Sequence, residues 1–162
     1  MTFFSKSRRH LLAAAGVASV LSLAACGGGG SDSGDAATWA TVSGSTAITT
    51  LQTTDTTVGT GATAGASSTV SVTYTGWLYD VRVTGTQKGT QFDSNVGATT
   101  PLSFQIGKGQ VISGFEQGVT GMKVGGKRTI VIPASLAYGA NGLNTIPGGA
   151  ALIFEVQLLS AQ

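Results

Sequence analysis

The sequence VISGFEQGV, residues 111–119, decides the fold class of this chain. Its apolar residues Val111, Phe115 and Val119 follow one another at intervals of four, the spacing that places side chains on one face of an α-helix. Ile112 flanks the start of this face. The stretch therefore predicts one short amphipathic helix.

The segments around this helix have the pattern of β-strands. Val70, Val72 and Tyr74 alternate with polar residues, as in a strand with one buried face. Turn-forming glycines separate the strands, and the chain contains 25 of them. Several strands around one helix indicate an α+β fold, an antiparallel sheet wrapped on the helix, within a folded domain at 58–162. The other predicted strands are Leu102–Ile106, Thr129–Ile132 and Ala151–Leu159.

The N-terminal residues 1–25 have the features of an export signal. Lys6, Arg8 and Arg9 precede an apolar run that is too short to span a bilayer. The run ends in Leu23-Ala24-Ala25-Cys26, which resembles a bacterial lipobox, so Cys26 is the predicted lipidation site. Two alternatives are an ordinary secretory signal with a chance cysteine and, from the arginine pair, a twin-arginine signal.

Residues 26–57 are predicted to form a flexible, lipid-anchored tether. The segment begins with four glycines after Cys26 and continues with Ser, Thr and Ala, a composition typical of flexible linkers. The segment has room for a short strand near 47–52, and Trp39 is interpreted as an isolated aromatic residue of this tether. Gly27 stands where an aspartate often marks retention at the inner membrane, so we expect a bacterial envelope protein in the outer membrane, facing the periplasm.

The composition of the predicted domain excludes several kinds of chemistry. His10 is the only histidine and Cys26 the only cysteine, and both precede the domain. Histidine-dependent acid–base catalysis, His/Cys zinc sites and disulfides are therefore not expected, and neither is a cofactor. Removal of residues 1–25 leaves six basic against seven acidic residues. Without a basic excess, no nucleic-acid partner is expected.

Seven segments in order resemble the FKBP-type peptidyl-prolyl isomerases over the whole predicted domain. They are VTYTG (72–76), QFDS (91–94), PLSFQIG (101–107), QVISGFE (110–116), GMKVGGKR (121–128), LAYGA (136–140) with IP (146–147), and LIFEVQLL (152–159). The resemblance implies a bent, five- to six-stranded antiparallel sheet around one short helix, with an apolar pocket between them.

The resemblance also implies the residues of that pocket. Tyr74, Asp93 and Tyr138 would be its catalytic residues, with the Ile112 N–H and the Tyr138 hydroxyl bonding carbonyls beside a bound proline. Without the resemblance, the phenylalanines would be interpreted as core residues and Asp93 as a turn residue. The implied substrate-binding residues are Phe92, Phe104, Val111, Ile112, Phe115, Ile146 and Phe154.

The implied partners are proline-containing client polypeptides and, with weaker affinity than for relatives, the macrolide inhibitors of the family. The weaker affinity is expected because Phe115 replaces a common Trp and Leu102 a common Phe. A third departure, the inserted segment at 81–87, is interpreted as tolerated decoration rather than a client contact. We expect a monomeric isomerase; the alternative is a non-catalytic proline-binding module or chaperone.

Overall fold

The computed structural model describes residues 36–162, so the predicted signal peptide, Cys26 and residues 26–35 lie outside the described residues. Two α-helices and six β-strands form the described part, with short 3₁₀ turns at Ser45–Ala47 and Ala134–Leu136. None of its helices is long and apolar enough to cross a membrane. The elements are α1 (Ala36–Val42), β1 (Gln52–Thr57), β2 (Thr69–Tyr79), β3 (Lys88–Ser94), β4 (Leu102–Gln105), α2 (Ser113–Val119), β5 (Lys127–Ile132) and β6 (Leu152–Ala161).

All strand pairs of the six-stranded sheet are antiparallel, in the order β1-β5-β6-β2-β3. Strand β2 is the longest, and β4 pairs with its first half along the edge where β3 pairs with its second half. Gly76 of β2 lies opposite Phe154 of β6 and Asp93 of β3. The predicted α+β class, an antiparallel sheet around a short helix, is confirmed.

Helix α2 packs on strand β5 through two glycines. A Cβ atom at Gly114 would lie 2.2 Å from Cγ2 of Ile132, and one at Gly118 would lie 2.6 Å from Cγ2 of Ile130. Both isoleucines are fully buried. Since real Cβ contacts are never this short, only glycine at these positions lets the helix lie so near the sheet.

The folded region begins earlier than predicted. The tether was predicted to reach residue 57, but Gln52–Thr57 forms β1, which pairs with β5. Every residue of β1 is exposed, so this threonine-rich edge strand lacks the apolar alternation that reveals a strand. The interpretation of Trp39 as an isolated tether residue is wrong. Trp39 belongs to α1 and packs against the core.

We predict that Gly114→Ala destabilises the domain, because the added methyl group would collide with Ile132 and approach the Leu136 carbonyl oxygen to 3.1 Å. Overpacking of this kind costs about 1–3 kcal/mol. Urea unfolding measures the loss. Gln117→Ala, an exposed position on the same helix, is the matched control and should change the unfolding free energy by less than about 0.5 kcal/mol. Equal stability of the two variants would contradict this account of helix packing.

Candidate functional site

An apolar pocket opens between helix α2 and the concave face of the sheet. Its aromatic side chains come from separate elements: Tyr74 from β2, Phe92 from β3, Phe115 from α2 and Phe154 from β6. Tyr138, after the second 3₁₀ turn, completes the ring of aromatic residues. The other lining residues are Asp93, Leu102, Gln110, Val111 and Ile112.

Phe115 is the centre of the aromatic cluster. Its ring centroid lies 5.1 Å from that of Phe154 and 5.7 Å from that of Tyr74, both in edge-to-face geometry. Phe104 packs from below with a centroid distance of 5.9 Å. Edge-to-face pairs at such distances are favourable beyond the area they bury. Phe115 is only 3% exposed, so it forms the floor of the pocket.

Gly76 allows two aromatic rings of the pocket wall to pack closely. A Cβ atom at this position would lie 2.8 Å from both Cζ of Phe92 and Cε1 of Phe154. The absence of a side chain lets these two rings meet edge to face, with centroids 5.6 Å apart. Gly76 is thus required for the shape of the pocket.

A short hydrogen bond fixes the polar side of the pocket. The Tyr74 hydroxyl donates to Oδ2 of Asp93 at 2.5 Å, and the Ser94 N–H donates to Oδ1 at 2.8 Å. Burial, followed by this hydrogen bond, raises the pKa of Tyr74 far above its usual value. The Asp93 carboxylate therefore orients a tyrosine that keeps its proton.

Asn95 holds the segment that carries Asp93, and sequence reasoning missed it. Its Oδ1 accepts from the Tyr74 N–H at 2.6 Å and its Nδ2 donates to the Val72 carbonyl at 3.1 Å. The Asn95 N–H donates to the Tyr74 carbonyl at 3.1 Å. The signal in the sequence is an Asn directly after the strand, since Asn side chains bond backbone groups at such ends.

Tyr138 lines the same pocket as Asp93 and feels the charge of its carboxylate. Burial raises the pKa of Tyr138, and the negative charge of Asp93 raises it further. Its hydroxyl therefore stays protonated at neutral pH and is available as a hydrogen-bond donor. Ile112 lies just before α2, where its carbonyl accepts from the N–H groups of Phe115 at 3.0 Å and Glu116 at 3.2 Å.

Two of the residues predicted for the pocket lie outside its lining. Phe104 is 3% exposed and packs beneath Phe115, because it is two residues farther along β4 than Leu102 and pairs with Val70 at the start of β2. Ile146 lines an adjoining cavity with Leu143, Asn144, Thr145, Phe92, Asp93 and Tyr138. Gln110 lines the pocket but was not predicted as a site residue.

The site offers an open pocket with aromatic walls and polar groups among its lining residues. No group of three or more His, Cys, Asp or Glu side chains able to hold a metal ion occurs within residues 36–162. The arrangement can hold a compact apolar ring against Phe115, while protonated hydroxyl groups face polar atoms at the mouth.

The chain belongs to the FKBP-type peptidyl-prolyl cis-trans isomerase family, whose model matches residues 61–159. The matched region contains the whole pocket, so the domain is by class a peptidyl-prolyl cis-trans isomerase.

Individual relatives agree with this assignment. An FK506-binding protein of Neisseria meningitidis serogroup B is 45% identical over 102 residues, which are 62% of this chain and 86% of the relative. FK506-binding protein 4 of Gibberella zeae is 49% identical over 102 residues, which are 63% of this chain but only 19% of the relative. The crystal structure of FkpA from Escherichia coli is similar with a TM-score of 0.60 and 37% identity, covering 70% of this chain and 49% of FkpA.

Proposed function

We propose that this protein is a lipid-anchored prolyl isomerase that accelerates X-Pro bond rotation in bacterial envelope proteins during their folding. The observation that carries the proposal is the pocket floored by Phe115, walled by Phe92 and Phe154, and flanked at its mouth by protonated Tyr138. Family membership supports the reaction, and the N-terminal sequence supports the location.

The chemistry of the reaction fits a site of this composition. An X-Pro bond resists rotation because amide resonance gives it partial double-bond character, with a barrier of about 18–20 kcal/mol. Uncatalysed isomerisation therefore takes tens to hundreds of seconds. Rotation breaks no covalent bond, so the reaction needs neither a nucleophile nor a metal.

In the proposed mechanism the pocket binds the twisted amide better than the planar one. Twisting removes resonance and reduces charge separation, so an apolar environment favours the twisted form. The proline ring would rest on Phe115, between Phe92 and Phe154. The Tyr138 hydroxyl and the Ile112 N–H would donate to carbonyls flanking the ring. Only donors that fit the twisted geometry better than the planar geometry raise the rate.

Asp93 has an orienting role in this proposal. No proton has to move during rotation, and the carboxylate already accepts the Tyr74 hydroxyl at 2.5 Å. Asp93 would fix Tyr74 as a wall of the pocket and shape the field at the pocket mouth, rather than act as a base.

Macrolide inhibitors are proposed as further ligands of the pocket, because relatives carry the name FK506-binding protein. We propose weaker binding here than in relatives with Trp at the floor, because a benzene ring offers fewer contacts than indole. Leu102 at the lining also replaces a larger aromatic ring. We propose that the protein acts as a monomer and has no nucleic-acid partner.

The envelope location is proposed from residues 1–26. A lipid on Cys26 would anchor the domain, and Gly27 in place of aspartate favours the outer membrane, with the domain facing the periplasm. Proline-containing client proteins would then reach the pocket as they fold after export.

We expect Tyr138→Phe to leave the fold intact and to slow isomerisation. Loss of one neutral hydrogen bond is worth about 0.5–1.5 kcal/mol, which corresponds to a roughly two- to thirteen-fold lower kcat/KM. Exchange NMR on an X-Pro peptide measures the rate, and a melting curve checks the fold. An unchanged kcat/KM would remove Tyr138 from the mechanism. A wild-type protein that binds the peptide without accelerating it would instead be the non-catalytic binding module.

Cys26→Ala should abolish lipidation. The wild-type protein, expressed in a bacterial host, should partition into the detergent phase of a Triton X-114 extract and incorporate labelled palmitate. The variant should do neither, because the thiol is the group that receives the lipid and the chain has no other cysteine. Equal detergent partitioning of the two proteins would contradict the lipoprotein proposal.

A further inference from the structure

The inserted segment at 81–87 has a partner in the described chain. The Val81 N–H donates to the Ser43 carbonyl at 2.9 Å, directly after helix α1. A Cβ atom at Gly44 would lie 2.7 Å from Cγ1 of Val81, so the two segments are in close contact. The insert therefore joins the N-terminal segment to the sheet.

A second contact strengthens this connection. The Arg82 guanidinium lies 5.6 Å from the centre of the Trp39 ring, within the range of a cation–π interaction. Asp80 also holds Arg82, since its two carboxylate oxygens accept from Nε of Arg82 at 2.8 Å and from Nη2 at 2.7 Å. We call residues 36–44 and 80–87 together the N-terminal unit.

The N-terminal unit exposes a cluster of apolar side chains. Val42 is 47% exposed, Val81 46% and Val83 36%. These are three of the seven large apolar side chains that are exposed in the described chain. Val42 precedes Ser43, whose carbonyl accepts from the Val81 N–H, and Val83 follows two residues later, so the three valines lie close together in the fold.

Nine residues, 27–35, separate Cys26 from Ala36, the first residue of α1. Even fully extended, the chain from Cys26 to Ala36 cannot exceed about 35 Å. A lipid on Cys26 would hold the valines close to a bilayer at an effective concentration in the millimolar range. Weak apolar contact is then sufficient for docking.

We propose that the valine surface of the N-terminal unit, Val42, Val81 and Val83, docks on the bilayer that holds the lipid anchor. The proposal rests on the lipid anchor proposed above. The charges of the unit permit this contact, because its two charged side chains, Asp80 and Arg82, form an ion pair with each other. The insert thereby fixes how the domain lies on the membrane.

A nitroxide label tests the proposal in the full-length, lipidated protein. Cys26 carries the lipid and is the only cysteine, so Val83→Cys can be labelled selectively. The protein is reconstituted on vesicles of phosphatidylethanolamine with a quarter phosphatidylglycerol, and collisions of the label with oxygen and with a water-soluble nickel chelate are measured. We expect collisions with the chelate to fall several-fold relative to the same label on the non-lipidated Cys26→Ala chain in buffer.

The matched control is Leu159→Cys. Leu159 is 41% exposed, which is similar to Val83. Its neighbour Leu158 pairs with Val72 in the first half of β2, whereas the insert follows the end of β2. Its label should collide equally with the chelate on vesicles and in buffer. If the protein floats with the vesicles but the chelate collides equally with both labels, the docking is overturned and the anchor stands. Failure of flotation overturns anchor and docking together. Protection of the Val83 label in buffer indicates contact between copies and also overturns the proposal.

Discussion

The close contact between helix α2 and strand β5 is the constraint on which the rest of the structure depends. Gly114 and Gly118 let the helix approach Ile132 and Ile130, and this sets the depth at which Phe115 forms the pocket floor. Arg128 secures the far end of the helix. Its Nη1 donates to the Gly118 carbonyl at 2.8 Å, and its other two nitrogens donate to the two carboxylate oxygens of Asp55 on β1. The edge strand, the helix and the pocket floor are therefore joined through one guanidinium group.

Sequence periodicity predicted the elements that have one apolar face. The spacing of Phe115 and Val119 predicted α2, and alternation predicted the strands that bear Val72, Phe104 and Phe154. It could not predict β1, whose side chains are all exposed, or α1, whose Trp39 acquires its partner Arg82 only through the fold. Apolar periodicity arises only where one face of an element is buried against the core. Elements that are held by backbone hydrogen bonds or by a distant cation do not need this pattern, so the sequence does not reveal them.

The candidate site was predicted from an ordered set of motifs rather than from periodicity. Motif positions brought Tyr74, Asp93 and Tyr138 to one pocket, but they could not give the depth of each side chain. Phe104 lies under the floor, whereas Leu102 on the same strand reaches the lining. The role of Asn95 also escaped prediction, because its three hydrogen bonds join groups of the β2 backbone more than 20 residues away.

The central claim is that the pocket accelerates X-Pro rotation by binding the twisted amide, with no proton transferred. The most direct test is kcat/KM from exchange NMR, compared between H₂O and D₂O across pH 6–9. Because the raised pKa keeps Tyr138 protonated, and residues 36–162 contain no histidine, kcat/KM should be constant over this range. It should also be equal in the two solvents. If kcat/KM falls clearly in D₂O and also changes with pH in this range, a proton is transferred during the reaction, and the claim is contradicted.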